Sequence, residues 1–154
     1  MKINKCTKAS FSVIGKEGST RNGKGFILKL WKDVNEHYSE ILNLVKKDDK
    51  DNLVGIWGLM SDFSKQLKPW EDNFSKGVYL AGVEVDSLAV APVGWKKWNV
   101  PSFEYLYVEN NSETTFSDVI SYIKEKKLNL VAAAFDYVSP LTNIEYIYFP
   151  IKKL

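Results

Sequence analysis

Apolar and polar residues alternate along several stretches of the chain, most clearly in the second half. In residues 102–109, Phe103, Tyr105 and Tyr107 occupy alternate positions, and Glu104, Leu106 and Val108 occupy the positions between and after them. Successive side chains of a β-strand point to opposite faces of a sheet, so this spacing predicts a strand with one aromatic and one aliphatic face. Residues 77–85 alternate in the same way and predict a strand near the middle of the chain.

Two other stretches repeat apolar residues every three or four positions, which is the period of an amphipathic helix. The first spans residues 26–46 and includes Leu30 and Val34 on its apolar stripe. The second begins at Thr115 and includes Val119. Each stripe predicts a helix that packs one side against a sheet.

Short apolar runs predict four further strands, at residues 9–15, 53–60, 130–138 and 144–151. The order strand, helix, strand, strand then occurs twice, with a linker at residues 86–100. We therefore predict one α+β domain over residues 1–154, with module one at about 1–86 and module two at about 100–154. These strand–helix–strand–strand modules are expected to show pseudo-twofold symmetry, with antiparallel sheets forming a central groove and helices on the opposite face.

Aromatic side chains recur at spacing two on several of the predicted strands. In a two-layer domain one sheet face must pack on the helices, and the aliphatic positions suit that role. The aromatic face is then predicted to line a ligand groove; the alternative is that tyrosine occurs there only because it favours strands. The predicted groove residues are Trp57, Tyr79, Tyr105, Tyr107, Glu109, Phe135, Tyr137, Tyr146 and Tyr148.

The composition narrows the choice of ligand. Aromatic residues make up 14% of the chain, and the formal net charge is +2. Tyrosine and tryptophan in a groove favour flat, apolar or cationic ligands through stacking and cation–π attraction. The small net charge and the lack of a recognition motif argue against direct nucleic-acid binding.

Metal, disulfide and cofactor chemistry have little support in the sequence. Cys6 is the only cysteine and His37 the only histidine, which excludes an intrachain disulfide and a histidine-rich metal site. The glycine-rich turn at residues 18–25 lacks the spacing of a phosphate loop, so neither a cofactor nor a metal is predicted. The chain has no apolar run of ~18 residues and no apolar leader, so we expect no membrane association and a cytoplasmic location.

Three passages together resemble the gyrase-inhibitor-like effector-binding domains, also described as AraC-type. They are Tyr-Leu-Ala-Gly-Val-Glu-Val at residues 79–85, Pro-Val-Gly at 92–94 leading to Val100 and Pro101, and Ile-Glu-Tyr-Ile-Tyr-Phe-Pro-Ile at 144–151. The resemblance implies two modules with a groove between them that binds varied small molecules, often aromatic or cationic drugs. Multidrug activators of this kind place an acid deep on the penultimate strand, and here that stretch is apolar until Asp136.

The resemblance leaves three functions open. The first is a stand-alone small-molecule-binding domain that senses or sequesters drugs or effectors, with a role in transcription regulation. The second is a hydrolase of cyclopropanoid aromatic natural products, in which Glu104 or Glu145 activates water beside tyrosines. The third is an inhibitor module that binds gyrase or another protein partner.

Overall fold

The computed structural model describes residues 1–154 and is built from eight strands and three short helices. The strands are β1 (Asn4–Lys8), β2 (Phe11–Ser19), β3 (Ile56–Ser61), β4 (Val78–Val85), β5 (Lys96–Val100), β6 (Phe103–Glu109), β7 (Phe135–Val138) and β8 (Glu145–Lys153). The helices are α1 (Phe26–Glu36), α2 (Glu71–Phe74) and α3 (Thr115–Glu125), with 3-10 turns at Thr20–Asn22 and Tyr38–Glu40. None of the helices is long and apolar enough to cross a membrane.

All eight strands form one antiparallel sheet in the order β1-β6-β8-β7-β3-β4-β2-β5, and the sheet curls into a half-barrel. Module one is β2-α1-β3-β4 and module two is β6-α3-β7-β8, which confirms the predicted duplicated α+β fold. The modules meet where β3 pairs with β7, through Ile56–Val138, Trp57–Tyr137 and Gly58–Asp136. We call these three residue pairs the seam. The pseudo-twofold axis passes through it, because the strand order is symmetric about this point.

The edge strands are exchanged between the two halves of the sheet. The first strand of the chain, β1, pairs with β6 of module two, and β5 pairs with β2 of module one. Both lie where the sequence predicts no strand: β1 is mostly polar, and β5 falls inside the predicted linker. Edge strands have one unpaired side and short length, so they carry a weaker alternation of apolar residues than central strands.

The predicted first helix is too long. Helix α1 ends at Glu36, and the chain continues through a 3-10 turn to Val45, which bridges to the end of β4. The apolar repeat persists beyond the helix because Ile41 is fully buried in the same core. Likewise, only the last part of the predicted strand at residues 130–138 is a strand, since β7 begins at Phe135.

The inner face of the sheet closes over a single aromatic core. Side chains from both halves meet there, and Trp57, Tyr105 and Phe135 are fully buried. Because this cluster joins strands at opposite edges of the sheet, the curl of the half-barrel brings one continuous face together.

The outer face carries two separate cores, one beneath each helix. Leu106, Val108 and Ile147 pack on α3, which confirms the aliphatic face predicted for module two. In module one the assignment of faces is wrong: Tyr79 packs on the α1 side and Leu80 points to the inner core. The side chains of β4 alternate regularly between the two faces of the sheet. Alternation alone does not show which of the two sets of side chains points toward the inner core.

Candidate functional site

A cleft on the outer face, between α1 and α3, lies directly over the seam. Its floor contains Gly58 of β3 and Asp136 of β7, which are opposite each other in the sheet. The two helices pack on separate cores and leave the sheet open between them. Clefts between packed units are the usual place for small-molecule sites.

Asp136 is held on this floor by Tyr79. The Tyr79 hydroxyl donates a hydrogen bond of 3.0 Å to the Asp136 carboxylate. Loss of water around the half-buried side chain raises the pKa of Asp136 to about 6, against the opposing effect of this hydrogen bond. Burial and the nearby Asp136 raise the pKa of Tyr79 well above its ordinary range. Tyr79 therefore stays protonated and keeps donating to Asp136.

Gly58 provides the space for this contact. A Cβ atom at Gly58 would overlap the Tyr79 hydroxyl and would also lie 3.1 Å from the Asp136 Cβ. Glycine inside a strand often marks such a close approach by another group. The pairing of Tyr79 with Asp136 thus depends on the absence of a side chain on the neighbouring strand.

We expect Gly58→Ala to break the Tyr79–Asp136 hydrogen bond and to destabilise the protein by about 1–3 kcal/mol, as overpacking does. Chemical denaturation measures the loss. The double variant Gly58→Ala/Tyr79→Leu removes the ring that the new methyl group meets, so it should be less destabilised than the sum of the two single variants. Unchanged stability of Gly58→Ala would contradict this account of the floor.

Two cavities extend from Asp136 in opposite directions, and Asp136 and Asn110 are the residues they share. The first, of about 350 Å³, is called the strap lobe because residues 69–77 form its outer wall. The second, of about 340 Å³, is called the α1 lobe. The apolar residues of the strap lobe include Met60, Trp70, Phe74, Phe116 and Ile147, and those of the α1 lobe include Ile27, Trp31, Ile56, Tyr79 and Val138.

The strap, residues 69–77, has an unusual backbone. Asp72, Asn73 and Phe74 are consecutive left-handed residues with φ of 52°, 57° and 64°. This conformation costs roughly 1–2 kcal/mol per non-glycine residue, so tertiary contacts must hold it. The Trp70 indole donates to the Val78 carbonyl at 3.0 Å, and the Phe74 ring meets Phe116 edge-on at 5.2 Å. These anchors place two aromatic rings on the wall of the strap lobe.

The charged residues around the cleft are all acidic. Glu113 borders the strap lobe and Glu145 the α1 lobe, while neither lobe is lined by a lysine or an arginine. Asp136 also takes part in no salt bridge. The cleft is therefore complementary to a positively charged ligand.

The inner core holds a second carboxylate in a different setting. Glu84 is only 3% exposed, and its Oε1 accepts a hydrogen bond of 3.1 Å from the Trp57 indole. The Lys8 ammonium group lies 3.5 Å from Oε1 of Glu84, and the Lys46 ammonium group lies 3.9 Å from Oε2. Glu84 is thus neutralised by the protein itself, in contrast to Asp136.

The predicted site residues separate into several environments. Tyr79 lines the α1 lobe. Tyr137 and Tyr146 also border this lobe, but their rings lie on the inner face, where the Tyr137 ring is 4.6 Å from Trp57 and the Tyr146 ring is 6.1 Å from Tyr107. Trp57, Tyr105 and Phe135 are buried core residues. The remaining predicted residues lie outside both lobes: Tyr107 and Tyr148 stack at 5.0 Å on the half-buried part of the inner face, and Glu109 is exposed at the end of β6.

Of the two glutamates predicted as catalytic, the structure brings one to the cleft. Glu145 is exposed at the rim of the α1 lobe, while Glu104 lies elsewhere on the outer face of β6 and lines neither lobe. The carboxylate on the floor of the cleft, Asp136, is not among the predicted site residues. In the sequence, Asp136 stands out as the one charged residue of the otherwise apolar predicted strand at residues 130–138.

The sequence prediction also missed the aromatic walls of the cleft. Trp31 falls within the predicted first helix, and Trp70 and Phe74 lie between the predicted strands at residues 53–60 and 77–85, where the sequence predicts no element. No group of three or more His, Cys, Asp or Glu side chains is arranged to hold a metal ion.

Comparisons with known proteins support the fold. Neither a protein-family model nor a curated protein sequence matches the chain. Among solved structures, SAV2435 bound to tetraphenylphosphonium has a TM-score of 0.66 at 20% identity and covers 99% of this chain and 94% of its own. A proposed bacterial transcription regulation protein from Staphylococcus aureus MU50 has a TM-score of 0.63 at 20% identity and covers 99% of both chains.

The C-terminal domain of EcmrR is also similar, with a TM-score of 0.65 at 10% identity over 99% of this chain and 98% of that domain. At such low identities the similarity establishes the fold alone. That fold is consistent with the gyrase-inhibitor-like effector-binding domains, as the sequence motifs indicate.

Proposed function

We propose that this protein binds small aromatic cations in the cleft between α1 and α3, with Asp136 as the counter-charge. The observation that carries the proposal is a half-buried carboxylate among aromatic side chains, hydrogen-bonded to Tyr79 and paired with no lysine or arginine. A carboxylate in this position is stabilised by an organic cation that brings its own charge into the cleft. The aromatic walls add cation–π attraction and apolar contact area.

The solved relatives support the same class of ligand. SAV2435, which shares this fold, is bound to tetraphenylphosphonium, a bulky aromatic cation. The cleft described here has the aromatic walls and the negative charge that such a molecule requires. Sensing or sequestration of drug-like cations is the role that follows, with transcription regulation as its wider context.

Binding of tetraphenylphosphonium to the full chain at pH 7.5 tests the proposal. We expect saturable binding by isothermal titration calorimetry, and we expect Asp136→Asn to raise the Kd by about 10- to 100-fold through loss of a partly desolvated charge pair. Glu104→Gln is the matched control, because it removes a carboxylate outside the cleft. Equal Kd values for wild type and Asp136→Asn would overturn the proposal.

Hydrolysis of reactive aromatic compounds is a second candidate function, favoured by the pKa of Asp136. A carboxylate with a pKa of about 6 is a better general base near neutral pH than an ordinary one. Glu145 lies on the rim of the same cleft. Incubation with a strained cyclopropane-bearing aromatic electrophile, followed by mass spectrometry, tests this function. Ring-opened product from wild type, reduced to the buffer rate in Asp136→Asn, would support it.

A further inference from the structure

We propose that the preferred ligand is a cation with two aromatic arms on one charged centre, one arm for each lobe of the cleft. This inference rests on the proposed function and specifies its ligand class. It is carried by the arrangement of the lobes, which extend from the same carboxylate and share only Asn110 and Asp136.

The single carboxylate shared by the two lobes fixes where the charge of the ligand lies. The Asp136 carboxylate is on the floor at the junction, with one face occupied by the Tyr79 hydroxyl. A cationic centre above this junction has apolar space on both sides. The lobes have nearly equal volumes, about 350 and 340 Å³, so neither is a minor extension of the other.

Each lobe also presents its own aromatic wall. In the strap lobe, Phe74 and Phe116 form an edge-on pair at 5.2 Å. In the α1 lobe, Trp31 of α1 and Tyr79 of β4 line the same cavity. Aromatic walls favour flat aromatic groups, which stack on them or meet them edge-on. A ligand with only one aromatic arm fills one lobe and leaves the other empty.

The experiment compares two probes of equal charge on the full chain: benzyltrimethylammonium, with one arm, and dibenzyldimethylammonium, with two. Calorimetry at pH 7.5 should show that the two-armed probe binds about 10- to 100-fold more tightly, because it buries one more ring. Binding of both probes should weaken in Asp136→Asn, since both place their charge at the junction.

Variants in the two lobes separate the contributions of the two arms. Phe74→Ala in the strap lobe and Trp31→Ala in the α1 lobe should each weaken the two-armed probe by about tenfold. The one-armed probe should change by no more than about twofold in either variant, because it can occupy the intact lobe. Tyr122→Ala is the matched control, an aromatic truncation on α3 outside both lobes. The conservative variants Phe74→Leu and Trp31→Phe keep the test valid where an alanine variant folds poorly.

The outcomes distinguish this inference from the proposed function. If both probes bind equally and both depend on Asp136, the two-armed ligand class is wrong and cation binding stands. If neither probe nor tetraphenylphosphonium binds, or if Asp136→Asn changes no affinity, the proposed function fails and this inference fails with it.

Discussion

Asp136→Asn is expected to stabilise the ligand-free protein by about 2 kcal/mol at pH 7.5 while it weakens cation binding. The pKa of this carboxyl is raised from 3.8 to about 6 in the folded state. A pKa difference of this size between the folded and unfolded states lowers the free energy of unfolding by about 3 kcal/mol once Asp136 is ionised. Water in the cleft still reaches the half-buried carboxylate, so we expect the smaller value.

The sign of the pH dependence follows from proton binding. Between pH 4 and 6 the folded state holds a proton on Asp136 that the unfolded state has lost, so stability falls as the pH rises through this range. The loss is complete about one pH unit above the folded-state pKa, near pH 7. Asparagine cannot ionise, so the stability gained in Asp136→Asn should be present at pH 7.5 and absent near pH 4.

Urea denaturation of wild type and Asp136→Asn at pH 4 and 7.5 measures this difference, with Glu104→Gln as the control. A variant that is destabilised at pH 7.5 would show that Asp136 has a structural role and would contradict our interpretation.

A bound cation favours the ionised carboxylate, so cation affinity should rise as the pH increases from 5 to 7.

Removal of both lysines that neutralise Glu84 is expected to destabilise the fold by about 3–5 kcal/mol, as a buried charge without a partner does. The double variant is Lys8→Met/Lys46→Met. Glu84 is almost fully buried, so its carboxylate cannot turn to solvent. Its other partner, the Trp57 indole, donates one hydrogen bond and carries no charge.

The triple variant, which adds Glu84→Gln, should recover most of this loss. Glutamine carries no charge, and its carbonyl still accepts the hydrogen bond from Trp57. The matched control is Lys47→Met/Lys76→Met, which removes two surface ion pairs and should cost about 0–1 kcal/mol. If the triple variant is no more stable than the double variant, the charge on Glu84 is not the cause of the loss.

Alternation and helical periodicity predicted the duplicated modules and the fold class, because these patterns reflect which side of each element is buried. Along β6 and β8 they also identified the aliphatic face that packs on α3. They failed for β4, where every residue is buried and each face is mostly apolar, with Glu84 as the one charged residue. With no polar face as a reference, the sequence alone could not show that Tyr79 points toward the helix.

The cleft was harder to predict because it depends on the curl and pairing of the sheet. Gly58 and Asp136 lie 78 positions apart in the sequence and become neighbours only when β3 pairs with β7. The predicted tyrosine groove instead became core where the inner face closes on itself. That closure follows from the exchanged edge strands, whose weak periodicity left them out of the prediction.

The shortness of the seam has a consequence for hydrogen exchange. Three residue pairs join the modules, whereas β2 and β4 within module one share eight. Backbone amides at the seam should therefore open to solvent more readily than those of β2. The cleft is lined by Tyr79 of one module and Phe116 of the other, so the proposed ligand would bridge the two modules. Ligand binding should accordingly slow deuterium uptake most strongly at the seam, where few backbone hydrogen bonds join the two modules.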